Sequence, residues 1–243
     1  MKKAYLNWSS GKDAAFALYK LQSFDDIKIE KLVTTLNSEV NRVSMHGVRK
    51  ELLLLQAKSI GLPIDIIALE GTVSMETYNL KMRIAVSKLL KEGFTHSVFG
   101  DIFLEDLKEY RENQLAGVGL KAIFPLWKKD THQLINDFIA SGFKAITVCV
   151  NSKVLDRSFC GRILDKKFIA DLPPGVDPCG ENGEFHTFVF DGPIFKNPIE
   201  FEIGEMVQRS YTAHEDEEDN CFNDDKKSWD TSFWYCDLIL KKN

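Results

Sequence analysis

The stretch Ser9-Ser10-Gly11-Lys12-Asp13 lies between a short apolar run (Ala4, Tyr5, Leu6, Trp8) and a run of helix formers from Ala14 to Leu21. A strand, a tight turn and a helix start in immediate succession are the beginning of an α/β unit. The first N–H groups of a helix lack intrahelical partners and its dipole adds partial positive charge, so such a turn suits a phosphate. Gly11 permits close backbone approach, and Lys12 adds a full charge. A serine-capped helix after an ordinary surface turn has the same spelling. Placement after the first strand, where nucleotide-binding α/β domains carry their phosphate loop, favours the phosphate. Neither G-x-x-x-x-G-K-[ST] nor G-x-G-x-x-G occurs at this turn, so an ordinary P-loop NTPase and a NAD enzyme do not fit.

Beyond the turn, the first half alternates strand and helix signals, as a parallel sheet with crossover helices requires. Strands are predicted at 2–8, 31–36, 64–69, 97–100 and 122–126. One helix presents Val48, Leu52 and Leu55 on a single face and stops at Gly61 and Pro63; a second presents Met75, Tyr78, Met82, Ala85 and Leu89, with Ser74 as N-cap and Gly93 as its stop. In such sheets ligands gather at the carboxyl ends of the strands, so Ser9–Asp13, Leu36-Asn37 and Gly100-Asp101 are expected to share one crevice.

The rhythm changes after Trp127, with a helix expected at about 131–141, a strand at 145–150 and a Pro/Gly-rich loop over 173–187. Strands at 188–190, 199–203 and 233–240 follow without long helices, which favours a mixed or antiparallel sheet. The acidic run 215–219 reads as a solvated loop. With 243 residues, 44% of them hydrophobic, the chain is long enough for one large or two modest domains. A net charge of -5 argues against nonspecific nucleic-acid binding. No signal-peptide h-region or run of membrane-spanning length is present, and the five cysteines show no C-x-x-C spacing, so a cytoplasmic location is expected.

Three constellations carry chemistry. Asp13 beside a phosphate turn is tolerable if a cation such as Mg²⁺ lies between them, although acidic residues also favour a first helical turn for dipole reasons. Tyr110-Arg111-Glu112 follows Gly100-Asp101 closely; an arginine there suits bidentate capture of a carboxylate or phosphate, while much of the neighbouring charge suits a solvated helix face. The segment Glu181-Asn182-Gly183-Glu184-Phe185-His186-Thr187 concentrates ionisable groups in a loop stiffened by Pro173, Pro174 and Pro178. Glu184 and His186 alternate there, which places them on one face of an extended segment. A polar hairpin turn is the plainer alternative. Cys179 with His186 offers only two metal ligands.

The turn at Ser9–Asp13 resembles the pyrophosphate-binding PP-loop S-G-G-x-D-S of ATP pyrophosphatases, with Ser10 in place of the second Gly and Ala14 in place of the final Ser. Trp8–Asp13, Met45-His46-Gly47-Val48-Arg49, Gly100-Asp101-Ile102 with Tyr110-Arg111-Glu112, Phe124-Pro125-Leu126-Trp127 and Gly180–Thr187 then follow in order. As a set they resemble the diphthine-ammonia ligase-like family of PP-loop ATP-binding proteins, over nearly the whole chain. In eukaryotic and archaeal members the family activity is ATP-dependent amidation of diphthine on elongation factor 2; the Phe-His-Thr ending looks more like the bacterial branch, whose hosts lack diphthamide.

The expected fold is therefore α/β, with a Rossmann-like HUP domain on a five-stranded parallel sheet (residues 1–128, ATP-binding) and a smaller α+β domain with a mixed sheet (residues 129–243, substrate recognition). ATP is assigned to Trp8, Ser9, Ser10, Gly11, Lys12, Asp13, Leu36, Gly100 and Asp101, with Mg²⁺ at Asp13. The acceptor is assigned to Tyr110, Arg111, Glu112, Glu181, Asn182, Gly183, Glu184, His186 and Thr187, and catalysis to Asp13, Glu184 and His186. The expected chemistry is adenylation of a small or protein-bound carboxylate, followed by attack of ammonia or an amine. A HUP-fold nucleotide sensor without turnover and a tRNA-modifying PP-loop enzyme are the alternatives. Nucleic acid and membrane are not expected partners; a homo-oligomer is allowed.

Overall fold

The structure, a computed structural model, describes residues 1–71, 73–211 and 231–241. The acidic run 215–219 and Cys221 lie outside the described residues. The first half runs β1 (Lys2–Asn7), α1 (Lys12–Leu21), β2 (Ile27–Asn37), β3 (Arg42–Val43), α2 (Lys50–Ile60), β4 (Ile64–Leu69), α3 (Met75–Lys91), β5 (His96–Val98), α4 (Glu105–Ala116) and β6 (Lys121–Ile123). The second half runs α5 (Thr131–Ala140), β7 (Lys144–Asn151), a short 3-10 helix (Arg157–Phe159), α6 (Lys166–Asp171), β8 (Phe185–Asp191), β9 (Phe201–Tyr211) and β10 (Thr231–Leu240).

The five expected strands pair in parallel in the order β4-β2-β1-β5-β6. The sheet has a sixth strand: β3 lies antiparallel to the end of β2, pairing Leu36 with Val43 and Asn37 with Arg42. Two residues are too few to carry a periodic signal. After β1 the chain fills one side with β2 and β4, then returns to fill the other with β5 and β6. The strand order therefore reverses beside β1, and the crevice between the ends of β1 and β5 is where such sheets bind ligands. Asn7 ties these two strand ends together, donating to Ser97 Oγ and the Val98 carbonyl, both at 2.9 Å.

Alternation along β1 sends Ala4 and Leu6 to one face and Tyr5 to the other. Tyr5 joins Val33, Leu89, Phe94 and Leu115 beneath α3 and α4. The opposite face continues through Trp8, Phe16 and Leu52 into Phe138, Phe185, Phe188 and Leu238, so one apolar core underlies both sheets. Each fully buried Leu or Phe there contributes about 1.5–3 kcal/mol. Ser74 caps α3 as expected, accepting from the Thr77 N–H at 3.3 Å.

The second sheet has the order β8-β7-β10-β9, and every pairing is antiparallel. The expected mixed sheet is thus resolved to the antiparallel alternative. The short helix α6 is an element that periodicity did not reveal; its N-cap Asp165 accepts from Phe168 N–H at 2.8 Å. Among the described residues, no helix is long and apolar enough to cross a membrane.

Candidate functional site

At the end of β1 the backbone turns through Ser10, whose φ of 73° lies in the left-handed region. A side chain is costly there, which is the physical reason glycine is the commoner residue at this place in the turn. The Ser10 hydroxyl is fully buried, and among the described residues its oxygen has no hydrogen-bond partner. A buried hydroxyl left in this state costs free energy unless a ligand satisfies it. Gly11 and Gly100 leave the close approaches open. A Cβ on Gly11 would lie 2.7 Å from His46 Cε1 and 3.2 Å from the Thr187 carbonyl oxygen, and one on Gly100 would lie 2.7 Å from the Asp13 carbonyl carbon. The loop after β5 is thus packed against the first turn of α1, which brings Ser9–Asp13 and Gly100-Asp101 together as topology predicted.

The N-cap of α1 is Gly11, which has no side chain to cap with. The cap comes from the second sheet, where Thr187 Oγ1 in β8 accepts from the Lys12 N–H at 3.0 Å. Val189 N–H donates to the Ser10 carbonyl at 3.0 Å. Gln56, fully buried on α2, completes the frame: it accepts from Trp8 Nε1 at 2.9 Å and donates to the carbonyls of Ser10 at 3.0 Å and Val189 at 2.6 Å. The turn after β1 is therefore held from both sheets.

Lys12 is buried, and its ammonium pairs with both carboxylate oxygens of Asp13, at 2.7 and 2.9 Å. Burial opposes the charge, but the Asp13 carboxylate paired with it outweighs burial and holds the Lys12 pKa above its usual value. Burial, followed by the charge of Asp13, pushes Glu181 up to about 8. Burial also raises Asp101, against the pull of Arg111, which contacts it directly and stacks over the Phe99 ring at 4.4 Å. Among the described residues, no three His, Cys, Asp or Glu side chains form a ready metal site. Asp13 is engaged by Lys12 and Asp101 by Arg111, so a hard cation with phosphate oxygens in its shell would have to share these carboxylates with the two basic side chains.

Glu184 is buried at the turn before β8 and accepts from Asp177 N, Asn182 N and Asn182 Nδ2 at 3.0, 2.8 and 3.0 Å. It organises the loop that carries Glu181 and the exposed Asn182. Gly183, in the left-handed region at φ 78°, completes that turn. His186 lies beside His46, with ring centroids 4.8 Å apart. Other expected residues are placed elsewhere. Glu112 is on an exposed face paired with Lys108 at 2.8 Å, Tyr110 donates to Asn79 Oδ1 at 3.0 Å, and Leu36 packs in the core.

Sequence reasoning missed Gln56, although a glutamine on the apolar stripe Leu52, Leu53, Ala57 signals a buried polar group needing partners. It also missed Asp237 of β10, which accepts from Arg49 at 3.0 and 2.6 Å and from Arg42 at 2.8 Å. Burial would raise its carboxyl, but the two guanidinium groups hold it at about 2. A carboxyl held below its unfolded value of about 4 stabilises the fold above that pH, and the contribution disappears as pH falls toward 2. Between about pH 4 and 2 the thermal midpoint of the wild type should therefore fall more steeply than that of Asp237→Asn, and the variant should melt lower at pH 7. Parallel slopes in scanning calorimetry would remove the clamp from the acid response.

Residues 1–122 match the diphthamide synthase N-terminal domain and residues 130–238 the diphthamide synthase C-terminal domain. The diphthine–ammonia ligase of Schizosaccharomyces pombe is 38% identical over 103 residues, 41% of this chain and 17% of that protein. The human diphthine–ammonia ligase is 32% identical over 116 residues, covering 45% and 43% respectively. Each match spans less than half the length of the relative. The U34-tRNA thiolase NcsA of Methanococcus maripaludis overlaps 57% of this chain and 56% of its own at 16% identity and a TM-score of 0.35, too low to bear on fold or function. With one of the family's two domain models matching each half, the chain belongs to the diphthamide synthase family.

Proposed function

We propose that this protein is an ATP-dependent carbon–nitrogen ligase of the diphthine–ammonia ligase type, activating a carboxylate as its adenylate. The observation that carries this is the turn at the β1/β5 switch point, with left-handed Ser10, its unpartnered buried hydroxyl, and Lys12. A substrate carboxylate oxygen bonds to the α-phosphorus as the bond to the bridging oxygen breaks, and pyrophosphate leaves with that electron pair. Backbone N–H groups of the turn, the Ser10 hydroxyl and Lys12 stabilise the departing charge. Asp13 and Asp101 would hold Mg²⁺, which supplies charge neutralisation at the phosphates.

Ammonia or an amine then bonds to the acyl carbon, AMP leaves, and the nitrogen gives up a proton. Glu184 is committed to its loop, which leaves neutral His186 as the expected proton acceptor and adds Glu181, near Asp13 and raised to about 8, as a second acceptor in its ionised form. Thr187 serves the phosphate turn as its cap rather than the acceptor. Residues 1–128 bind ATP in this scheme, and residues 129–243 supply the acceptor loop together with part of the frame of the ATP site.

Incubation with Mg²⁺-ATP at high protein concentration should yield AMP and pyrophosphate, read by ³¹P NMR, slowly without the acceptor and faster with it. ADP and phosphate as the only products would refute α–β cleavage. ATP binding without any turnover would favour the sensor, a reading that buried Ala14 supports because it places no hydroxyl where the PP-loop has its final Ser.

A further inference from the structure

His46 has no part in the scheme above, yet its ring is packed directly on the phosphate turn. Its Cε1 occupies the space a Cβ on Gly11 would need, 2.7 Å away. Its Nδ1 lies 3.1 Å from the Thr187 carbonyl, which can only accept, so Nδ1 carries the hydrogen and Nε2 is the basic nitrogen, with no hydrogen bond to a described residue. On the other side lies the His186 ring, at 4.8 Å between centroids.

The groups facing this pair are Lys12 of α1, whose ammonium is itself paired with Asp13, each ring for the other, Cys149 of β7, in register with His186, and Tyr235 of β10, which packs beside Gly47. Arg42 and Arg49 anchor the same loop through Asp237, two guanidinium groups on one carboxylate, so this set keeps a net positive charge. Two imidazoles in contact beside a buried ammonium cannot both be cations, because like charges at this range disfavour ionisation. Burial acts in the same direction: His46 is lowered to about 4, with the Thr187 contact opposing and Lys12 reinforcing, and His186 is lowered well below its usual value.

A polyanion at the turn reverses the local field. We propose, resting on the phosphate site above, that His46 is a pyrophosphate-binding residue that is neutral in the free protein and takes up one proton when pyrophosphate binds. The proton comes from solvent and adds to Nε2. The resulting imidazolium keeps its Nδ1–H bond to the Thr187 carbonyl, which favours the charged form. His186 remains neutral, since two adjacent cations would repel. Lys12 supplies the permanent charge and His46 the inducible one, so pyrophosphate is gripped most tightly when fully charged and released more readily as pH rises.

Inorganic pyrophosphate titrated into protein carrying ¹⁵N-labelled histidine at pH 7.5 tests this without catalysis. In the free protein His46 should show one pyridine-type nitrogen; at saturation that signal should move to the imidazolium position, with assignment by its loss in His46→Asn. The affinity ratio of wild type to His46→Asn should fall by up to roughly tenfold per pH unit as pH rises, a comparison that cancels the ligand's own titration. Shifts of the Ser10–Asp13 amides while both rings stay neutral would overturn the proposal and leave the phosphate site standing. Absence of amide shifts would remove the phosphate site itself, and this proposal with it.

Discussion

Gly11→Val should lose ATP and pyrophosphate affinity by about a hundredfold or more, on the order of 3 kcal/mol. The backbone at Gly11 is extended, at φ -90° and ψ 176°, so valine meets no dihedral strain. The obstacle is space: the new side chain would begin 2.7 Å from His46 Cε1 and 3.2 Å from the Thr187 carbonyl. Relief requires the His46 loop and β8 to retreat together. The Thr187 cap on Lys12 N–H and the clearance for a phosphate are then lost as one. Titration calorimetry, with circular dichroism to check the fold, measures this; wild-type affinity in a folded variant would place the phosphates elsewhere.

Gln56→Leu should destabilise the fold by about 2–5 kcal/mol in urea denaturation, although it replaces a polar group by an apolar one of similar volume. Trp8 Nε1–H and the Val189 carbonyl would lose a buried partner, each costing about 1–3 kcal/mol. The Ser10 carbonyl would keep its bond from Val189 N–H, so the turn is loosened rather than abolished. Nucleotide affinity should drop along with stability, because the lost bonds frame the turn. A loss below about 1 kcal/mol would mean that solvent reaches these groups and that the frame is not dry.

The turn between β1 and α1, the parallel strands and the helices beside them were legible because each is encoded locally. Apolar alternation in β1 sets which side chains face which layer, Ser74 and Gly93 punctuate α3, and Gly11 follows a strand directly. Backbone dihedrals, caps and periodicity act over a few residues, so they can be read from a few residues. The β1/β5 crevice was also within reach, since it follows from chain order once the strands are parallel. The expected acceptor residues were only partly brought to it. Glu181, His186 and Thr187 lie beside the turn, Glu184 is tied to its own loop, and Glu112 faces solvent with Lys108.

What each of these residues does was decided by partners far away in sequence. Glu184 satisfies the backbone of its own loop, and Thr187 caps a helix that begins 175 residues earlier. Gln56 joins α2 to both sheets, and Asp237 gathers Arg42 and Arg49. None of these pairings has a spacing rule. They arise because buried donors and acceptors must be matched once the two sheets share a core, and the match depends on which groups the packed layers bring together. By itself the sequence determined the turn between β1 and α1 and the sheet that presents it; only the tertiary structure decided which side chains frame that turn.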